Sequence, residues 1–171
     1  MFKYLDLAAL FEITKQKKEP AFFLVLDGIE DPHNLGAILR TAEAAGVHGV
    51  ILRKARQVPV TETVIKVSTG AAKYVPIARV ANIAETLRYL KEENLTVIGV
   101  EIDGKELYNE ENYRHPVALV IGSEGFGLAR LTKERCDKVV RIPMRGKINS
   151  LNASVAAGIV LYEVLRQRGY R

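Results

Sequence analysis

The chain has 171 residues, 48% of them hydrophobic, with a net charge of +5 and one cysteine, Cys136. That length fits one domain with a substantial core, and the composition excludes a disordered chain. One cysteine excludes an internal disulfide and a multi-cysteine zinc site, and the longest apolar run, VAAGIVLY, is far too short to span a bilayer.

In chain order, MFKYLDLAALFEITKQKKEP is amphipathic and charged and lacks the apolar core of a signal peptide. A helix is predicted over 5–17. Residues 1–20 read as a helical lead-in, residues 21–171 as a single domain, and a cytoplasmic location is expected. Short runs rich in valine and isoleucine then alternate with helical patterns. Strands are predicted at 22–26, 49–52, 75–80, 95–100, 117–122 and 138–142. Helices are predicted at 34–45, 60–68, 82–92, 128–136 and 150–168. Strands apolar on every position suit a sheet buried on both faces, so the order predicts an α/β domain with a mainly parallel sheet flanked by helices. Basic side chains are dense from Arg130 to Lys147, which suits a polyanion such as nucleic acid as well as it suits a solvated surface.

Ligands of open parallel sheets bind beyond the carboxyl ends of the strands, and three such ends carry unusual residues. After the first strand, Asn34 is positioned to cap a helix whose core stripe is Leu35, Ile38, Leu39 and Ala42. Gly36 and Arg40 lie away from that stripe among small residues, so close packing is expected there with Arg40 reaching into it. The plain alternative is an exposed Arg40 paired with Glu43. After the strand at 117–122, GSEGFG lets backbone amides approach a ligand, and Glu124 either holds that ligand or caps the next helix. Its glycine spacing is neither the dinucleotide fingerprint nor a phosphate-binding P-loop. After the last strand, RIPMRGKINSLNASVAAG places Asn149, Ser150, Asn152 and Ser154 before a helix that is apolar or small on nearly every side. Ser150 is positioned as its cap, and a subunit interface is a natural place to bury it. His33, in DPHN, reads as a turn residue; His48 and His115 suggest nothing; no cluster has metal-ligand spacing.

Three segments in this order, N-x-G-x-x-x-R, GSEGFG and IPM…SLNASVA, resemble the three motifs of the SpoU branch of the SPOUT methyltransferases. The similarity runs from about residue 20 to the C-terminus. LDGIEDPHNLGAILRTAEAAGVHGVI and SLNASVA are most similar to the RlmB type, which methylates a guanosine ribose 2′-oxygen in 23S ribosomal RNA; the TrmH type, acting on a tRNA guanosine, is the neighbour. The resemblance implies a C-terminal deep trefoil knot, S-adenosylmethionine as cofactor, an RNA substrate and a homodimer with the active site between subunits. It implies Gly122, Ile142, Met144 and Leu151 at the cofactor, with the loop near Val100 and Glu101 as a further candidate. It implies Arg40, Asn34, Glu124, Ser150 and Asn152 as catalytic residues. A non-catalytic RNA-binding module is the competing class, although no predicted strand carries paired aromatics for base stacking.

Overall fold

The computed structural model describes residues 1–170. Its elements run α1 (Leu7–Lys17), β1 (Phe22–Asp27), α2 (Pro32–Ala44), β2 (Gly49–Arg53), α3 (Glu62–Val67), a 3-10 turn (Ala71–Lys73) and β3 (Ile77–Val80). They continue with α4 (Ile83–Glu92), β4 (Thr96–Val100), β5 (Glu106–Leu107), β6 (Val117–Gly122), α5 (Arg130–Arg135), β7 (Lys138–Arg141) and α6 (Ala153–Gln167). The strands form one sheet in the order β3-β2-β1-β6-β4-β7-β5. Every strand pair in it is parallel.

Side-chain alternation along β1 divides the core. Phe22, Leu24 and Leu26 pack with α2, α3 and α6 on one face; Phe23 and Val25 pack with α1, α4 and the residues flanking α5, Leu128 and Cys136, on the other. Both faces are covered, which is why β1 and β6 are buried at every position. The lead-in packs against the sheet. Leu10 sits over Gly49, whose missing Cβ would come within 2.7 Å of it. Leu5 N–H donates to Ile77 O at 2.8 Å, and the Tyr4 hydroxyl accepts from Val60 N–H at 2.9 Å.

Several sequence expectations are corrected. Helix α2 begins at Pro32 and its cap is Asp31, whose carboxylate accepts from His33 N–H; Asn34 lies within the first turn and is buried. A proline at the first helical position has no N–H to satisfy, so the helix starts earlier than its apolar stripe. Gly36 does mark close packing, but against α3: a Cβ there would lie 2.7 Å from the Val67 side chain. Arg40 is exposed instead of reaching into that contact, and among the described residues it forms no ion pair with Glu43. Helix α6 is capped by Asn152, not Ser150. It buries Ala153, Ala157, Val160, Leu161 and Val164 within its own chain and leaves Val155 and Tyr162 exposed. The short edge strand β5 and the 3-10 turn, which carry too few residues for a period, were not expected.

Between β4 and β6 the chain wraps the end of β7. Glu101 N–H and Lys105 N–H donate to Val140 O and Val139 O, and Tyr108 N–H donates to Arg141 O. The Arg141 guanidinium returns two bonds of 2.9 Å to Gly104 O and Lys105 O. Gly104 is required here, because a Cβ would sit 2.4 Å from the Val140 carbonyl carbon.

Candidate active site

A cleft of about 540 Å³ opens at the carboxyl ends of β4, β6 and β7. Among the sequence-nominated residues, Gly122, Ile142, Met144, Leu151, Glu124, Ser150 and Asn152 all line it, as do Val100 and Glu101. Asn34 does not line it but is joined to it, since Asn152 Nδ2 donates to Asn34 Oδ1 at 3.0 Å. Arg40 stands outside the cleft.

The glycine loop owes its shape to two carboxylates. Ser123 N–H donates to Gly127 O at 3.0 Å and Gly127 N–H donates back at 2.8 Å, closing a tight turn. Gly125 and Gly127 take φ of 81° and 67°, where a side chain is strained. Glu101 Oε1 accepts from Leu128 N–H at 2.9 Å and fills the space beside Gly127, where a Cβ would approach its carboxylate to 2.5 Å. Asp27, buried at the end of β1, accepts from Ala129 N–H at 3.0 Å, and its other oxygen lies 3.1 Å from Arg53 Nη1, outside hydrogen-bond geometry. Nothing in the pattern of the sequence marks Asp27, because its role depends on a loop about a hundred residues away. Gly122, which lines the cleft, is also constrained by packing. A Cβ there would collide with the Gly127 backbone at 2.2 Å, so the bare backbone serves loop packing.

Asn152 is fixed from both ends. Its Oδ1 accepts from Ser154 N–H and Val155 N–H at 2.9 and 3.3 Å and from the Ser154 hydroxyl, which leaves its amide to bind Asn34. One side chain therefore ties the start of α6 to the first turn of α2, 118 residues apart. Among the described residues the only charged groups lining the cleft are Glu101 and Glu124; its walls include Ile121, Ile142, Leu151 and Ala156. Such a lining suits a partly apolar ligand carrying positive charge.

The remaining titratable groups point elsewhere. His33 is exposed in the first turn of α2, 3.5 Å from Asp31. His48 is buried and structural: Nδ1 accepts from Phe22 N–H and Nε2 bonds Glu19 at 3.0 Å. Burial pushes the Cys136 thiol up to about 12, so it is no nucleophile near neutral pH. Among the described residues no three His, Cys, Asp or Glu side chains gather as metal ligands, and no helix is long and apolar enough to cross a membrane.

This architecture is that of a known class. The profile of the SpoU rRNA Methylase family matches residues 21–162, and the chain belongs to that family. The 23S rRNA (guanosine-2′-O-)-methyltransferase RlmB of Coxiella burnetii is 50% identical over 164 residues, covering 96% of this chain and 66% of that one. The Bacillus subtilis protein YacO, assigned to the TrmH family of tRNA/rRNA methyltransferases, is 50% identical over 167 residues, covering 98% and 67%. Among solved structures, the SpoU methyltransferase AviRb of Streptomyces viridochromogenes in complex with AdoMet superposes with a TM-score of 0.82 at 31% identity, over 88% of this chain and 58% of that one. The TrmH/SpoU tRNA modifying enzyme of A. aeolicus gives 0.79 at 29% identity, over 95% and 84%. The chain thus spans about two thirds of the length of these two curated relatives and less of AviRb.

Proposed function

We propose that this chain carries the catalytic domain of an S-adenosylmethionine-dependent RNA ribose 2′-O-methyltransferase, acting on a guanosine of 23S ribosomal RNA as a homodimer with a knotted C-terminal segment, in the cytoplasm. The observation that carries the reading is the cleft itself. It gathers the glycine loop, Ile142, Met144 and Asn149 to Asn152, and among the described residues its only charged lining groups are carboxylates. The cofactor supplies an electrophilic methyl on a positively charged sulfur. Glu101 and Glu124 complement that charge, the apolar walls suit an adenine ring, and a volume of about 540 Å³ lies inside the ~300–1,000 Å³ typical of small-molecule sites.

The wrapping of residues 101–108 around β7 supports the knot, since the chain leaving β7 must pass that wrap before α6 packs on α2 and β6. Two features support the homodimer. Arg40 is exposed outside the cleft, so a second copy is the natural source of an arginine facing the substrate. Val155, Ile159 and Tyr162, at i, i+4 and i+7 on α6, form an apolar stripe that the chain leaves partly or wholly uncovered. The chemistry is largely positioning, with loss of the hydroxyl proton to be assisted. Asn152, locked onto Asn34, and Ser150 orient the ribose. Arg40 binds phosphate and stabilises the developing alkoxide; it stays protonated and is not a base. Glu124 holds a ribose hydroxyl or Arg40. The Coxiella relative supports ribosomal RNA; the A. aeolicus neighbour, a tRNA modifying enzyme, favours tRNA as the second reading.

Calorimetry with S-adenosylmethionine tests the cofactor site. Ala156→Phe, which fills the cleft from a partly exposed position, is expected to abolish binding while the chain stays folded, and unchanged affinity would contradict the assignment. Gly122 is a poor choice for this test because any side chain there breaks the loop. A non-catalytic RNA-binding module would show no thermal stabilisation by the cofactor.

A further inference from the structure

Phe126 is 92% exposed, more than any other aromatic side chain among the described residues. Leaving a benzyl group in water forgoes burial that most large apolar side chains obtain, and no contact within the chain accounts for it. The backbone that carries it is held. It sits at the tip of the turn closed by the Ser123–Gly127 pair, with Glu101 and Asp27 fixing the backbone just beyond. The turn presents the ring at the rim of the cleft.

A second segment adjoining the cleft has a matching character. Residues 145–148 run between Met144 and Asn149, which both line the cleft. Arg145 and Lys147 are exposed there and form no ion pair among the described residues. Ile148 is 72% exposed. The cleft therefore has carboxylates inside and an exposed aromatic ring on its lining, and the segment joining Met144 to Asn149 adds an exposed aliphatic side chain and unpaired cations. Aromatic faces beside unpaired cations match a base and its phosphates.

We propose that Phe126 stacks on a nucleobase of the RNA held at this cleft, while Arg145 and Lys147 bind its phosphates. The inference rests on the RNA-directed function proposed above and adds a substrate-binding residue to it. Phe126 takes no part in the transfer; it places the RNA against the cleft mouth.

The test compares variants by fluorescence anisotropy with a labelled 23S ribosomal RNA transcript and, in parallel, by calorimetry with S-adenosylmethionine. Phe126→Ala is expected to weaken RNA binding about tenfold or more and to change cofactor affinity by less than about twofold. Phe126→Tyr restores RNA binding; Phe126→Leu, apolar but without a π face, does not. Arg145→Ala and Lys147→Ala each lower the salt dependence of RNA binding. Unchanged RNA affinity in Phe126→Ala, or equal rescue by Leu and Tyr, overturns the proposal. So does a loss of cofactor affinity that matches the loss for RNA, which would put the ring on the adenine. A dimer that dissociates in Phe126→Ala would put it on a second copy and overturn the proposal too. A wild type that binds the transcript but transfers no methyl refutes the proposed function alone, because the binding comparison still decides the stacking.

Discussion

Arg40 is the residue on which the proposed chemistry turns, and its surroundings separate two readings cleanly. It is exposed and unpaired among the described residues, so Arg40→Ala is expected to change stability by less than about 1 kcal/mol. Methyl transfer should nevertheless fall about a hundredfold or more, the scale of losing one transition-state donor. Arg40→Lys should rescue poorly, because a point charge cannot replace a planar fork. Cofactor affinity should survive, since Arg40 does not line the cleft. Single-turnover transfer beside calorimetry on the same variants checks this, and near-normal transfer by Arg40→Ala would contradict the mechanism. His48 offers a prediction of another kind. Burial, opposed by Glu19, holds it below its ordinary 6.5. As the pH falls, the unfolded chain takes up this proton first. The contribution of His48 is therefore complete above about pH 6.5 and lost as the pH drops from there through the lower folded value. In His48→Gln, urea-unfolding midpoints should fall less between about pH 7.5 and pH 5 than in the wild type. Equal slopes would show that other groups set the dependence.

At the scale of elements, the central strands are legible because they are short apolar runs buried on both faces, and β1, β2 and β6 match their apolar runs closely. The helix starts were less legible. Asp31, Pro32 and Asn34 all favour a helix N-terminus, and only the backbone path shows that Asp31 caps and Asn34 turns inward to meet Asn152. The two-sided character of α6 was hidden for a related reason. Alanine, glycine and valine on every side leave no polar face to mark the solvent, so the sequence does not distinguish Ala157, buried in its own chain, from Val155, which is exposed. The loops show the same limit. GSEGFG announces a close backbone approach, but the approach of Gly122 is to Gly127, and the anchors Glu101 and Asp27 come from other strands.

For the whole molecule, parallel strands aligned in one sheet bring three sequence-distant segments to one edge, and that edge is where open α/β sheets bind ligands. The cleft residues named from the motifs meet there because β4, β6 and β7 end together, while Asn34 joins through Asn152 and Arg40 lies outside the lining. The central claim is that this edge transfers a methyl group to a ribose oxygen of RNA. The direct measurement is to incubate the protein with S-adenosylmethionine carrying a labelled methyl and unmodified ribosomal RNA, digest the RNA to nucleosides, and identify the labelled nucleoside by mass spectrometry. The account predicts the label on the 2′-oxygen of guanosine. Label on a base, or none from a folded protein that binds the cofactor, would contradict it.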